Sequence, residues 1–446
     1  VTAVGVVVEA DGRVAVATVA EPVEALAGAD DPSALHRTEL PNGLTVLSEF
    51  VPGARSVAFG VWVRTGTLHE RPDEMGLSHL LEHMVFKGTR ARTAKEIALS
   101  LEALGGSLDA YTEREHTAFQ ARVLDVHLRD AVDVIGDLVF EPLLREEDLR
   151  LERQVILEEI GMVEDTPDDF IFDVHNRVLW GDHPHGFPIL GTRETVQRLG
   201  VADLAALHAR AYHPGRLVVA AAGRVEHERL LEVLVAAGWA DRRPGSMEVP
   251  AVQPAVSGPP VAEHVSRKDL TQTHVVLGGV SLAHGDRRRW AFALLDTLLG
   301  GGMSSRLFQH VREELGLAYA VHTFQHAFAD TGVHGVYLAS APGTAQRAVD
   351  AVRDVLAQTA REGLTEEDLE AGKRQLRGQV VLSMEGVSSR MYRAATSALY
   401  DEPHRTIDEM LALVDAIDAE TVRDVARSYF DPERLSLVTL GPRAVR

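Results

Sequence analysis

The sequence predicts an α+β fold in two tandem homologous domains, each a largely antiparallel sheet packed with helices, facing each other across a cavity. Three observations predict it: a collinear internal repeat, a proline- and glycine-rich stretch between the copies, and a shared order of strands and helices.

The repeat is read from four pairs of segments. Ala131-Val132-Asp133-Val134-Ile135-Gly136-Asp137-Leu138 recurs as Ala348-Val349-Asp350-Ala351-Val352-Arg353-Asp354-Val355. Leu144-Arg145-Glu146-Glu147-Asp148-Leu149 recurs as Leu364-Thr365-Glu366-Glu367-Asp368-Leu369, and Gln154-Val155-Ile156-Leu157 as Gln379-Val380-Val381-Leu382. Tyr212 to Val219 matches Tyr429 to Leu437 with one residue inserted. All pairs lie 217 to 225 residues apart and in the same order. Single short matches arise by chance, whereas a collinear set rarely does.

Residues 1–36 match nothing in the repeat and read as an N-terminal arm. The first domain is then 37–242 and the second 263–446. The linker 243–262 holds Pro244, Gly245, Pro250, Pro254, Gly258, Pro259 and Pro260, a composition suited to an extended connection. Arg55 to Val63 alternates as a half-buried strand should. Thr93-Ala94-Lys95-Glu96 has capping-box spacing, followed by Ile97, Leu101 and Leu104 on one helical face and Gly105-Gly106 as a stop. Thr365 and Asp368 open a second helix with the same spacing. Each half thus runs strand, helix, strand pair, helices, strand.

Composition narrows the function. The chain has 446 residues, 45% hydrophobic and 25% charged, as soluble globular proteins do. It holds no run of roughly 20 apolar residues, so no membrane span is expected. The first residues lack a basic segment and an apolar signal core, which makes the cytoplasm the default compartment. Without cysteine there are no disulfides, thiolate metal sites or cysteine nucleophiles, leaving His, Asp and Glu as possible ligands. A formal charge of −21 argues against a nucleic-acid partner.

The chemistry centres on His79-Leu80-Leu81-Glu82-His83. On a helix, residues four apart project from one face, so both imidazoles reach one ion, and Glu82 falls near that face. Two of twenty histidines flanking a glutamate also arise by chance. A catalytic zinc takes three protein ligands and keeps an open position, so a third must come from elsewhere. Glu152 and Glu159, seven apart, share a helical face; such carboxylates are more often merely solvated. The repeat discriminates. In the second half Leu80-Leu81-Glu82-His83 becomes Leu294-Leu295-Asp296-Thr297, His79 falls on Ala293, Glu152 on Arg377 and Glu159 on Met384. Apolar positions repeat while the ligand candidates do not, so these residues are not needed to build the domain.

The HxxEH motif is the inverzincin signature, and the chain resembles the pitrilysin, insulinase and mitochondrial processing peptidase family from about residue 37 to 443. The likeness includes Leu40-Pro41-Asn42-Gly43-Leu44, the run Glu152-Arg153-Gln154-Val155-Ile156-Leu157-Glu158-Glu159 and Pro188-Ile189-Leu190-Gly191-Thr192. The resemblance implies that Glu159, 76 residues after His83, is the third ligand of one Zn2+ per chain, with Glu152 supporting the site and Glu158 pointing elsewhere. It implies a zinc metalloendopeptidase acting on unfolded peptides or presequence-like segments, Glu82 being the general base. A catalytically silent subunit or scaffold of the same family is the alternative.

The second half carries Gly300-Gly301-Gly302 without the Lys-Ser/Thr pair of a phosphate loop. Nearby, Arg312 suits a solvent-facing helix position and Tyr319 a core aromatic. The resemblance instead makes Tyr319 an oxyanion donor and Arg312 a backbone-carbonyl or site-ordering group, placing the zinc centre at the domain interface. It also assigns peptide binding to an edge strand at Gly106, Ser107, Leu108, Asp109 and Ala110, by main-chain hydrogen bonds. Because one chain holds both the zinc motif and the Arg/Tyr pair, a homodimer is expected.

Overall fold

The computed structural model describes residues 34–245 and 252–446, and the backbone of two short strands before them. Those strands, Gly5–Val8 and Val14–Ala17, pair antiparallel within the predicted arm; the rest of residues 1–33 and linker residues 246–251 lie outside the described residues.

Two sheets carry the repeat. The first orders its strands Leu35–Glu39, Thr45–Phe50, Leu217–Gly223, Ser56–Val63, Thr117–Leu124 and Ser107–Thr112. The second reads Ala262–Ser266, Ser436–Gly441, Thr273–Ser281, Gly332–Ser340 and Ala320–Ala327. Apart from the extra first strand the orders coincide. In both, the only parallel pair among the described residues joins the opening strand of the repeat to its closing strand (Thr45–Phe50 to Leu217–Gly223, Ala262–Ser266 to Ser436–Gly441). The expected boundaries shift slightly: the first sheet begins at Leu35, inside the assigned arm, and Ala262 at the end of the assigned linker is already strand.

Local signals form the predicted helices. Thr93 and Glu96 make a reciprocal capping box, and Ile97 and Leu101 of Ala94–Glu102 are buried. Leu104 falls past the helix end, in the turn before Gly105. Thr365 and Asp368 cap Glu366–Ser383 in the same way.

One expectation is corrected. Ser56–Val63 is buried on both faces, not one. Val57, Phe59, Val61 and Val63 face the core of their own half, while Ala58 and Trp62 pack with Met391, Ala394 and Ala395 of helix Val387–Leu399, which belongs to the second half. The exchange is reciprocal. Ile171 and Val174 of helix Pro167–Trp180, from the first half, pack with Val276, Val438 and Leu440 of the second sheet. Polar contacts reinforce the clasp. Arg64 donates to the carbonyls of Ala398 and Leu399 at the end of the crossed-over helix, where a cation is favoured. Tyr400 donates to Glu115, and Arg390 pairs with buried Glu49. Between the halves lies a cavity of about 440 Å³, lined by Trp62, Tyr111 and His116 on one side and His326, Tyr392 and Tyr400 on the other.

Candidate metal centre

The motif lies on helix Leu77–Val85. Leu77, Leu80, Leu81, Met84 and Val85 are buried in the core of the first half, which turns His79 and His83 toward a second helix, Glu146–Asp165. Their rings lie 4.5 Å apart, centroid to centroid, as a four-residue spacing requires. The helix starts at Gly76, whose φ of +88° suits glycine; a side chain there would strike the Leu190 carbonyl. Glu70 accepts from the Gly76 and Ser78 amides at 2.9 and 2.7 Å, satisfying donors that a helix start leaves open.

Helix Glu146–Asp165 is seated by buried Leu149, Ile156 and Ile160 and by Arg153, which donates to the Val196 and Leu199 carbonyls. That seating presents Glu152 and Glu159 to the histidines and leaves Glu158 exposed. Glu159 Oε2 is 3.9 Å from His79 Nε2 and 3.7 Å from His83 Nε2, and the three donors lie within 4.8 Å of one another. Tetrahedral ligands at zinc bond lengths stand about 3.3 Å apart, so small side-chain rotations bring this set to an ion. Among the described residues it is the one group of three or more His, Asp or Glu side chains so arranged. Two imidazoles and a carboxylate are a donor set zinc accepts, and the residues fit the ion the sequence implies.

The two imidazoles stand in different electrostatic surroundings. Burial, then the neighbouring His83, pushes the His79 imidazole down to about 3, so the ring is neutral. Burial lowers His83 too, but its hydrogen bond to Glu152 and the Glu159 and Glu82 charges outweigh it and leave His83 raised. His83 Nδ1 donates to Glu152 Oε2 at 3.2 Å, which fixes the tautomer that keeps Nε2 free. Lys87 Nζ holds the other Glu152 oxygen at 2.8 Å. Glu82, beside His83, is buried; burial raises its carboxyl above the ordinary range, against the Thr112 hydrogen bond and the His83 charge.

The remaining predicted residues occupy two places. Gly106 precedes, and Ser107, Leu108, Asp109 and Ala110 lie on, the outermost strand of the first sheet, which packs beside the motif helix and, among the described residues, pairs only with Thr117–Leu124. In the second half, the Arg312 guanidinium lies 5.3 Å from the Tyr319 ring centre and 4.6 Å from that of Phe308. Arg312 sits on a π-helical segment, Phe308–Glu314. Tyr319 is 76% exposed and is not a core aromatic. Among the described residues no hydrogen bond, ion pair or ring contact joins either residue to His79, Glu82, His83 or Glu159. The motif helix packs mainly against first-half elements, and all three members of the metal group come from the first domain.

Comparison with known proteins decides the family. The model described as "Insulinase (Peptidase family M16)" matches residues 45–193, which contain all three candidate ligands and Glu82. The chain belongs to peptidase family M16. A second model of this family, "Peptidase M16 inactive domain", matches residues 198–376. Among M16 relatives, proteins named uncharacterized zinc proteases from Streptomyces coelicolor and Mycobacterium tuberculosis are 40% and 41% identical. These alignments cover 92% and 95% of this chain and 90% and 95% of theirs. A Bacillus subtilis protein of the same description is 36% identical over 92% of this chain and 98% of its own. A protease from Helicobacter pylori (TM-score 0.85, 20% identity) and a peptidase M16 inactive domain from Pseudomonas fluorescens (0.84, 19%) share the fold. Each covers 92% of this chain, and the chain covers 99% and 98% of theirs.

Three supporting residues escaped the sequence reading. Lys87 lies in the turn just past the end of the motif helix, where sequence spacing does not fix its direction, and only the fold brings it to Glu152. Thr112 ends the edge strand already singled out, but only the fold brings it to Glu82. Glu70 left no signal, because its capping acts from outside the helix rather than from the capping position itself.

Proposed function

We propose that this M16 chain is a zinc-dependent endopeptidase for unfolded peptides or presequence-like segments. The observation that carries the reading is the convergence of His79, His83 and Glu159 with Glu82 buried beside them. Zinc, when bound, lowers the pKa of a coordinated water toward neutrality and polarises the scissile carbonyl. Glu82 takes the water proton and delivers it to the leaving amine. Its raised carboxyl suits a group that must both accept and release a proton near neutral pH. The Ser107–Thr112 edge receives the peptide as an added strand, and main-chain hydrogen bonds there select an extended chain over a folded one.

A homodimer completes the site in this reading. Exposed Tyr319 and its stacked Arg312 serve the metal centre of a second copy, Tyr319 donating to the developing oxyanion and Arg312 ordering it. A silent-subunit role is disfavoured by the full ligand set.

The test is hydrolysis of a quenched-fluorescent peptide by the purified chain, before and after chelation and after zinc is restored. Cleavage that stops and returns supports the reading; a zinc-loaded chain without turnover on any unfolded peptide overturns it. Mixing separately inactive Glu82→Gln and Arg312→Ala chains should restore part of the activity, since one site in a mixed dimer is complete. No recovery after subunit exchange counts against the shared site.

A further inference from the structure

We infer that Thr112 is the positioning residue for Glu82 and links that base to the edge strand, an inference that rests on the peptidase reading above. Thr112 is buried and is the last residue of Ser107–Thr112. Its hydroxyl has two oxygens near it, Glu82 Oε2 at 2.7 Å and Thr117 Oγ1 at 3.5 Å. A threonine hydroxyl carries one hydrogen. Thr117, more deeply buried than Thr112, donates its own to the Thr65 carbonyl at 3.1 Å and therefore cannot donate to Thr112. The Thr112 hydrogen goes to the nearer, charged acceptor, where a hydrogen bond is strongest.

The consequence is directional. With Oε2 engaged by Thr112, Glu82 Oε1 has no hydrogen-bond partner among the described residues and is the oxygen left to take up a proton. Thr112 is itself fixed by its strand pairing with Thr117. A peptide adding along the edge orders Ser107–Thr112 further, and Thr112 is where that order reaches the base. The hydroxyl thus contributes to turnover rather than to peptide affinity. A misplaced catalytic group costs up to about 100-fold in rate.

The experiment compares the full zinc-loaded chain with Thr112→Val, which keeps the shape without the hydroxyl, and Thr112→Ser, which restores it. Three quantities are read: kcat, KM, and binding of a fluorescent peptide to the metal-free chain. Expected are a kcat lowered about 10- to 100-fold in Thr112→Val, KM and metal-free binding within about 2-fold of the parent, and recovery in Thr112→Ser. An unchanged kcat in Thr112→Val overturns the inference. So does a loss of metal-free peptide binding as large as the loss of kcat, or a Thr112→Ser as impaired as Thr112→Val in two equally folded proteins. If the parent chain cleaves nothing with zinc bound, the peptidase reading itself falls, and this inference with it.

Discussion

His83 donates through Nδ1 to Glu152 across two helices, at 3.2 Å, and Lys87 grips the same carboxylate from the other side at 2.8 Å. A carboxylate that orients a ligating imidazole also makes it more basic, and losing such a partner costs about 10- to 100-fold in metal affinity. Glu152→Gln should weaken zinc binding by about that factor, because an amide cannot accept from both His83 and Lys87 through two oxygens. Lys87→Met should weaken it less, since Glu152 remains. Competition with a chromogenic chelator measures both; parental affinity in Glu152→Gln would remove the carboxylate from the metal's support.

Glu82 and Glu159 separate by what their loss removes. Glu82→Gln should keep zinc in the chain and lose turnover by at least about 100-fold, the scale of general-base catalysis. Glu159→Gln should leave the folded chain with less zinc, read by atomic absorption after dialysis. Zinc at parental stoichiometry in Glu159→Gln, or parental turnover in Glu82→Gln, would reverse the assignment of that residue.

Glu70 supports the site from below. It is buried and accepts from the two amides that open the motif helix. Glu70→Ala strands those donors, at about 1–3 kcal/mol for each buried unpaired group. Thermal melting should show a large drop, and zinc affinity should fall too as the first turn frays. Glu70→Gln, with one acceptor oxygen left, should lie between alanine and the parent.

The exchanged helices predict joint melting. Ile171 is fully buried against the second sheet and Met391 is buried against the first. Truncating either to alanine should cost about 2–5 kcal/mol. Each helix stabilises the sheet of the other half, so one cooperative transition should move as a whole in calorimetry. Two transitions, only one of them displaced, would mean the halves fold independently.

How far the sequence revealed these relations depends on their range. His79, Glu82 and His83 were legible because helical spacing alone brings them together, and the seven-residue step from Glu152 to Glu159 obeys the same geometry. The repeat was legible because both sheets were built from the same ordered segments. The exchange of Pro167–Trp180 and Val387–Leu399 was not. An amphipathic helix declares an apolar face but not the sheet that will cover it, so Ser56–Val63 read as half-buried when Val387–Leu399 seals its other face. Arg312 and Tyr319 adjoin each other although no shared helix joins them, and only the fold shows Tyr319 exposed.

His227 should make stability depend on pH. The ring is buried, with Thr38 Oγ1 at 2.8 Å from Nε2 and Ser48 Oγ at 2.8 Å from Nδ1, and it stacks on His36. Burial, then His36, pulls it down to about 4 from an ordinary 6.5; Glu228 acts weakly the other way. Between these values the unfolded chain binds a proton that the folded chain refuses, so the unfolded state gains as pH falls. The contribution is complete above about 6.5 and is lost on the way to 4. From pH 7 to pH 5 this one group removes about 2 kcal/mol. His227→Gln should be less stable than the parent at pH 7, and the gap should narrow by about that amount at pH 5 in urea unfolding. A gap of the same size at both values would mean that the folded chain protonates His227 as readily as the unfolded chain does.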